Sequence, residues 1–222
     1  MLFVHGMGRS PVSGWLLMRR LRQAGAKTTT FSYSATFESV DSIVARLRER
    51  ISRLAKADGY VVVGHSLGGV LLRAAINSLP PDTAPPRLVY LLGSPIGPSR
   101  LAVRLQSNVI FRILTQDCGQ LLGSTERMAA VGPLSAPTTA IAGVRGWVSW
   151  QGLFGSELND GVVSVSEVSA PWLSSPVQVP VAHTLLPSAG LVVEIILQGF
   201  AHHDGSRVTA ASTDSSSRGA SF

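Results

Sequence analysis

A serine lies between glycines in the stretch GHSLGG, where Gly64, Ser66 and Gly68 form the pattern Gly-x-Ser-x-Gly. Three consecutive valines before it predict a strand buried on both faces, and apolar residues at helical spacing follow it. In so sharp a turn the serine has a strained backbone and an exposed hydroxyl, and a side chain at either glycine would collide with the crossing elements. The pattern predicts a nucleophile at Ser66, with the helix N-terminus and the Leu67 amide beneath it to stabilise negative charge. A glycine-rich turn without chemistry is the alternative interpretation.

A serine hydroxyl is a weak nucleophile at neutral pH, so it needs a histidine base that an acid orients. Four of the five histidines lie in other settings, two tied to the backbone within glycine motifs and two in the C-terminal tail (His5, His65, His202 and His203). His183 follows the last predicted strand directly, and its ring could reach Ser66 over the edge of the sheet. His183 is therefore the predicted base, and the alternative is a solvated loop histidine.

Strands and helices that could position these side chains alternate along the chain. Apolar and β-branched runs predict strands over residues 1–4, 28–33, 61–63, 87–92, 138–144 and 177–181. Apolar repeats of three and four residues predict helices over 15–24, 40–55, 100–122 and 189–200, and another directly after Ser66. This alternation predicts an α/β fold with a mostly parallel central sheet and helices on both faces.

The predicted helix over residues 100–122 is the element available to cover the site. Its apolar stripe is expected to form one wall of a fairly open pocket (Leu101, Leu105, Val109 and Ile113). Its three arginines are expected near the rim of that pocket, where they could meet anionic lipid head groups (Arg100, Arg104 and Arg112).

Four separated motifs resemble the α/β-hydrolase superfamily, and its lipase and esterase branch in particular. They are HGMG after the first strand, GHSLGG, the turn NDGVV and a late histidine. The resemblance implies the α/β-hydrolase fold in a minimal form with a small cap or none, and a triad in the order serine, acid, histidine. It also implies an oxyanion hole of two backbone amides, those of Met7 and Leu67, with Gly6 as a structural glycine of the HGMG loop.

The same resemblance assigns the triad acid to Asp160 in the NDG turn. An ordinary β-turn also favours Asp at such a position, so a purely structural turn is the alternative. Glu157, three residues earlier, is the second candidate for the acid. Glu167 is expected on a surface segment after the turn.

The composition predicts one folded domain over residues 1–201 and a disordered tail over 202–222, which is rich in Ser, Thr and Ala. The net charge of +6 favours anionic surfaces. No basic cluster is interleaved with aromatic residues as nucleic-acid binding would require, so contact with an anionic membrane is expected and nucleic acid is not. The single cysteine, Cys118, excludes an intrachain disulfide and is expected to be a small buried hydrophobe.

No signal peptide or membrane-spanning run is present in the sequence, which predicts a cytoplasmic protein by default. Because the first motif lies almost at residue 1, a segment before it could be missing from the sequence.

These residues predict a serine hydrolase that cleaves small-molecule or lipid carboxylic esters through an acyl-enzyme on Ser66. The sequence carries no HExxH motif or paired Cys/His set, and neither a metal nor an organic cofactor is expected. Two alternatives stay open. One is acyl transfer, or thioester or lipid deacylation, with the same triad; the other is a catalytically silent protein of this fold that binds a lipid or a partner.

Overall fold

Six parallel strands form one sheet in the computed structural model, which describes residues 1–57, 59–146 and 151–201. The strands are β1 (Leu2–Val4), β2 (Thr29–Phe31), β3 (Val61–His65), β4 (Leu88–Leu92), β5 (Thr138–Gly143) and β6 (Val177–Val179). Their spatial order is β2-β1-β3-β4-β5-β6, and Phe3 of β1 pairs with Thr30 on one side and Val63 on the other. Because all strands are parallel, their carboxyl ends meet at one edge of the sheet.

Helices cover both faces of this sheet. They are α1 (Trp15–Gln23), α2 (Val40–Leu54), α3 (Leu67–Asn77), α4 (Arg100–Leu105), α5 (Val109–Gly123), α6 (Thr125–Val131), α7 (Gln151–Phe154) and α8 (residues 190–201). Short 3-10 turns lie at Pro11–Gly14, Ser166–Val168 and His183–Ser188. The tail predicted over residues 202–222, with His202 and His203, lies outside the described residues, and the domain boundary at 201 stays a prediction.

The alternation of side chains along the strands divides the core into two layers. Leu2, Val62 and Leu91 pack on one face with α2 and α3, whereas Phe3 and Val63 pack on the other with α1 and α8. Successive strand residues point to opposite faces, so a run such as Val61 to Val63 supplies both layers at once. This is the doubly covered parallel sheet that the apolar runs predict, and the predicted fold class is confirmed.

The cover over the carboxyl edge differs from the single helix predicted over residues 100–122. The Asn108 side chain accepts a hydrogen bond from the Phe111 amide at 3.0 Å, and this cap starts α5 separately from α4. A second break lies inside α5, where Gln116 has φ 42°. The half of α5 after this break packs into the core, and Phe111 before it also packs there. Val109 and Ile113 are exposed to solvent, so the single amphipathic stripe was wrong.

No helix in the described parts of the chain is both long enough and apolar enough to cross a membrane.

Candidate active site

Ser66 lies in the turn between β3 and α3, with φ 53° and ψ −127°. This backbone conformation is strained for a residue with a side chain. Two close approaches make the turn possible: a Cβ on Gly64 would lie 2.4 Å from Gly69 Cα, and a Cβ on Gly68 would lie 2.4 Å from the carbonyl oxygens of Val4 and His5. The strained serine and the bare glycines agree with the turn predicted from the sequence.

The HGMG loop lies directly against this turn. A Cβ on Gly6 would lie 3.0 Å from His65 Nδ1 and 3.1 Å from Ser66 Cβ, so a side chain at this position would crowd the serine. Met7 follows at the carboxyl end of β1, and Leu67 is the first residue of α3. Within the described residues, the amide nitrogens of Met7 and Leu67 have no hydrogen-bond acceptor. Two backbone donors are thus free at the strand ends that flank Ser66.

Asp160 and His183 form a buried pair at the same edge. Asp160 Oδ2 lies 2.7 Å from His183 Nδ1, and both residues are almost fully buried. The other carboxylate oxygen, Oδ1, accepts hydrogen bonds from the Val162 and Val163 amides, each at 2.9 Å. The His183 amide also donates to the Asp160 carbonyl at 2.9 Å. Side chain and backbone together fix the imidazole, and Nε2 is the ring nitrogen left for another partner.

The end of β4 and the residue before Ser66 join this pair to the serine turn. A Cβ on Gly93, which has φ 52°, would lie 3.0 Å from both Asp160 Oδ2 and His183 Nδ1. The Ser66 amide donates to the Leu92 carbonyl at 2.9 Å, one residue before Gly93. The Ser66 side chain is partly exposed, and its hydroxyl makes no hydrogen bond within the described residues. The structure therefore brings all three predicted residues to one edge, with a hydrogen bond between Asp160 and His183 and no hydrogen bond between His183 and the Ser66 hydroxyl among the described residues.

His65 and His5 are tied to the backbone, as predicted. His65 Nε2 lies 3.0 Å from the His183 carbonyl oxygen, the two imidazole centroids are 4.8 Å apart, and His5 Nδ1 lies 2.9 Å from the Gly6 carbonyl oxygen. Burial is the largest cause that lowers the pKa of His65 well below its usual range, and the neighbouring His183 lowers it further. A neutral His65 donates from Nε2 to that carbonyl, so it helps to hold the backbone of His183. No role at the site was predicted for His65 from the sequence, although its position directly before Ser66 indicates that it lies there.

Glu157, the second candidate for the acid, has other partners. Its carboxylate accepts a hydrogen bond from the Ser166 amide at 2.9 Å and forms an ion pair with Arg100 at 2.8 Å. Burial alone would raise the pKa of Glu157, but these hydrogen bonds and the Arg100 guanidinium lower it to about 2. Glu157 therefore connects α4 to the segment around the NDG turn, and it makes no hydrogen bond to His183 within the described structure. Arg100, one of the three arginines expected near a pocket rim, is engaged in this ion pair.

Glu167 is buried, and its expected place on a surface segment was wrong. Its carboxylate accepts hydrogen bonds from the Ser164 amide at 2.9 Å and from the Arg100 amide at the start of α4 at 2.7 Å. Its backbone carbonyl accepts from the Ile96 amide at 2.8 Å. The short turn Ser166–Val168 points the carboxylate inward because these donors converge there. Glu167 thus links the segment after the NDG turn, the start of α4 and the loop after β4. No local motif in the sequence indicated this connection between distant segments.

Other reactive groups are few in the described part of the chain. No group of three or more His, Cys, Asp or Glu side chains there could hold a metal ion. Cys118 is buried, and burial together with Asp117 raises the pKa of its thiol to about 12, which keeps it protonated. Cys118 agrees with the small buried hydrophobe that the sequence predicts.

A sequence profile of the alpha/beta hydrolase family matches residues 1–211, which is most of the chain. The chain belongs to the alpha/beta hydrolase family. Membership agrees with the strand order, the strained serine turn and the resemblance of the four motifs.

Solved structures similar to this alpha/beta hydrolase include a lipase, an esterase and a phospholipase. The mature form of the Bacillus licheniformis lipase BlEst2 superimposes with a TM-score of 0.69 at 19% identity, covering 89% of each chain. The metagenomic carboxyl esterase MGS0156 gives 0.65 at 19% identity, over 82% of this chain and 64% of the other. The phospholipase PlaB from Legionella pneumophila gives 0.60 at 16% identity, over 76% of this chain and 45% of the other. At such identities the similarity establishes the shared fold, and no protein with a curated function matched the sequence.

Proposed function

We propose that this alpha/beta hydrolase cleaves carboxylic esters through a covalent acyl-enzyme on Ser66. The observation that carries the proposal is the buried Asp160–His183 pair, 2.7 Å apart, at the sheet edge where Ser66 has its strained backbone. A serine hydroxyl, an imidazole and a carboxylate gathered at one edge of the sheet, with the carboxylate bonded to the imidazole, are the parts that nucleophilic acyl transfer needs. The names of the structural neighbours, which include a lipase and a carboxyl esterase, favour an ester as the substrate.

The first half of the reaction forms the acyl-enzyme. Ser66 Oγ attacks the ester carbonyl carbon while its proton passes to Nε2 of His183. The imidazolium is then stabilised by Asp160 Oδ2 at Nδ1. The carbonyl oxygen becomes an oxyanion, and the free amides of Met7 and Leu67 are the proposed donors to it. When the bond to the leaving alcohol breaks, His183 returns the proton to the alkoxide oxygen and the acyl group remains on Ser66.

Water completes the cycle by the same steps. His183 Nε2 takes a proton from the water as its oxygen attacks the acyl carbon, and the second oxyanion meets the same two amides. When this intermediate collapses, the proton returns to Ser66 Oγ and the carboxylic acid leaves. No step needs a group outside the chain other than water.

A chain-length series of p-nitrophenyl esters tests the proposal and narrows the substrate. We expect turnover by the unaltered chain, and a loss on the order of 10⁴-fold or more in kcat for Ser66→Ala, since the covalent route is then closed. Ser42→Ala removes an exposed hydroxyl from α2 and should leave turnover unchanged. Residual turnover of a few per cent in Ser66→Ala contradicts the assignment. Products transferred to an added alcohol, with little free acid, would assign acyl transfer in place of hydrolysis.

A further inference from the structure

An exposed apolar surface lies on α5 and on the loop after β2, outside the candidate site itself. On α5, Val109, Ile110, Ile113 and Leu114 are 65%, 69%, 57% and 58% exposed and share one side of the helix. The Thr36 hydroxyl donates to the Leu114 carbonyl at 2.6 Å, which holds the loop after β2 beside this helix. Phe37 on that loop is 88% exposed. A cluster of large apolar side chains this exposed indicates a binding surface.

The charges on this surface that have no ion-pair partner are positive. Arg104 and Arg112 are exposed and have no ion-pair partner within the described residues. Residues 98–116 contain three arginines and no acidic residue. The nearest acids are already neutralised, since Glu38 pairs with Arg46 and Asp117 pairs with Arg127. Together the exposed apolar residues and the two arginines are called the cap surface (Phe37, Arg104, Val109, Ile110, Arg112, Ile113 and Leu114).

We propose that the cap surface docks the protein on an anionic lipid surface. Apolar side chains can enter the boundary between head groups and acyl chains while the arginines meet the negative head groups. The carboxyl ends of β1, β2, β3 and β4 all lead to this side of the sheet, so docking brings the Ser66 edge toward the lipid. The use of this orientation for catalysis rests on the proposed function, whereas binding of the cap surface to lipid does not.

A second copy of the chain fits the cap surface less well. A two-fold contact would bring Arg104 and Arg112 of one copy toward the same residues of the other, and the cap surface contains no acidic residue to separate them. The apolar part also spans only residues 109–114 of one helix and a single loop residue. Six helical residues extend about 9 Å. A stable interface buries about 800 Å² on each partner, and a strip about 9 Å long supplies only a small part of that area.

Vesicle binding by the Ser66→Ala chain tests the proposal without any catalytic step. We expect co-sedimentation with phosphatidylcholine vesicles that contain phosphatidylglycerol, on the order of tenfold stronger than with phosphatidylcholine alone, and weakening as salt rises. Arg104→Gln with Arg112→Gln should reduce this binding by on the order of tenfold. Arg48→Gln with Arg53→Gln changes the net charge equally on exposed positions of α2 and should change binding little.

The apolar part has a matched control as well. Ile110→Ser with Ile113→Ser should weaken binding to both kinds of vesicle, whereas Val12→Ser with Leu191→Ser alters exposed apolar residues elsewhere and should not.

Equal binding to neutral and anionic vesicles, or an equal loss of binding in both arginine pairs, overturns the proposal. A dimer in light scattering that Ile110→Ser with Ile113→Ser dissociates, without vesicle binding, would make a second copy the occupant. Hydrolysis of a dissolved short-chain ester by the unaltered chain is read separately, so loss of the proposed activity and loss of docking are distinguished.

Discussion

Asp160 uses both of its carboxylate oxygens, one toward His183 Nδ1 and one toward the amides of Val162 and Val163. The NDG turn supplies the two amides, which is why a residue typical of ordinary turns can also hold the imidazole of His183. The sequence could place two carboxylates near the base, Asp160 and Glu157, but not decide between them. The decision depends on which carboxylate points toward β4 and His183, and that is a tertiary contact.

Asp160→Asn with Glu157→Gln as its control tests this assignment. An asparagine can still accept from the turn amides, but its NH₂ group would face Nδ1 and favour the tautomer with the proton on Nε2. That tautomer cannot accept the Ser66 proton, so kcat for a dissolved ester should fall on the order of 10⁴-fold. Glu157→Gln should change kcat only a few-fold, because its partners are Ser166 and Arg100. The reverse ranking of the two variants would make Glu157 the acid.

The burial of His65 predicts a pH dependence of stability. Its pKa is lowered in the folded chain by burial and then by His183, whereas the unfolded chain keeps the usual value of 6.5. Below pH 6.5 the unfolded state therefore binds a proton at His65 that the folded state does not bind. The free energy of unfolding consequently falls as the pH falls. One such proton contributes about 1.4 kcal/mol per pH unit.

Urea unfolding of the unaltered chain and of His65→Gln, from about pH 7.5 down to about pH 5, measures this slope. Glutamine can still donate to the His183 carbonyl but does not titrate. The change in the free energy of unfolding per pH unit should therefore decrease by up to the contribution of one proton. His5, whose pKa burial also lowers, supplies part of what remains. An unchanged slope in His65→Gln would mean that His65 is not the group that resists protonation.

Among the elements, β1 and α3 cross so closely that Gly68 leaves no room for a side chain. A Cβ on Gly68 would lie 2.4 Å from the carbonyl oxygens of Val4 and His5, and both are backbone atoms that cannot turn away. The same crossing sets the positions of the Met7 and Leu67 amides, since these residues follow β1 and begin α3. Stability and the proposed oxyanion hole therefore depend on one contact between two elements.

Gly68→Ala should destabilise the fold by about 3 kcal/mol or more, because α3 must move away from β1. For a chain of this size that is a fall of roughly 10 °C in Tm, measured by circular dichroism. Gly97→Ala is the control, since a Cβ there meets nothing within 4 Å, and its Tm should stay within about 2 °C. A Tm for Gly68→Ala that equals the Gly97→Ala value would show that the crossing is looser than the structure describes.

Strands and most helices could be predicted within a few residues because apolar periodicity reports burial directly. The strand Leu88–Leu92 and the helix Val40–Leu54 are examples. The cover could not be predicted in the same way. Its apolar residues suggested one packed stripe, but Asn108 starts a new helix and Gln116 breaks it, so much of that stripe faces solvent. A local cap and a strained residue override periodicity, and neither has a strong signature in a single sequence.

In the whole molecule, the candidate site and the cap surface share one edge of the sheet. The serine turn, the HGMG loop and the loop after β4 follow the carboxyl ends of three adjacent strands, β1, β3 and β4. Parallel topology is what gathers them, since motifs more than a hundred residues apart in sequence meet there, as His65 and His183 do. The sequence predicted this gathering from the alternation of elements, whereas the Glu167 connection and the solvent exposure of the apolar residues on α5 required the structure.

Covalent labelling by a fluorophosphonate tests the central claim most directly, because it reports an activated serine without requiring the natural substrate. Ser66 is partly exposed, so the probe should reach it without detergent. We expect one adduct, which mass spectrometry maps to Ser66. It should be absent in Ser66→Ala and form much more slowly in His183→Ala, while Ser42→Ala labels normally. A folded chain that forms no adduct, or an adduct on another serine, or labelling that is unchanged in His183→Ala, would contradict it.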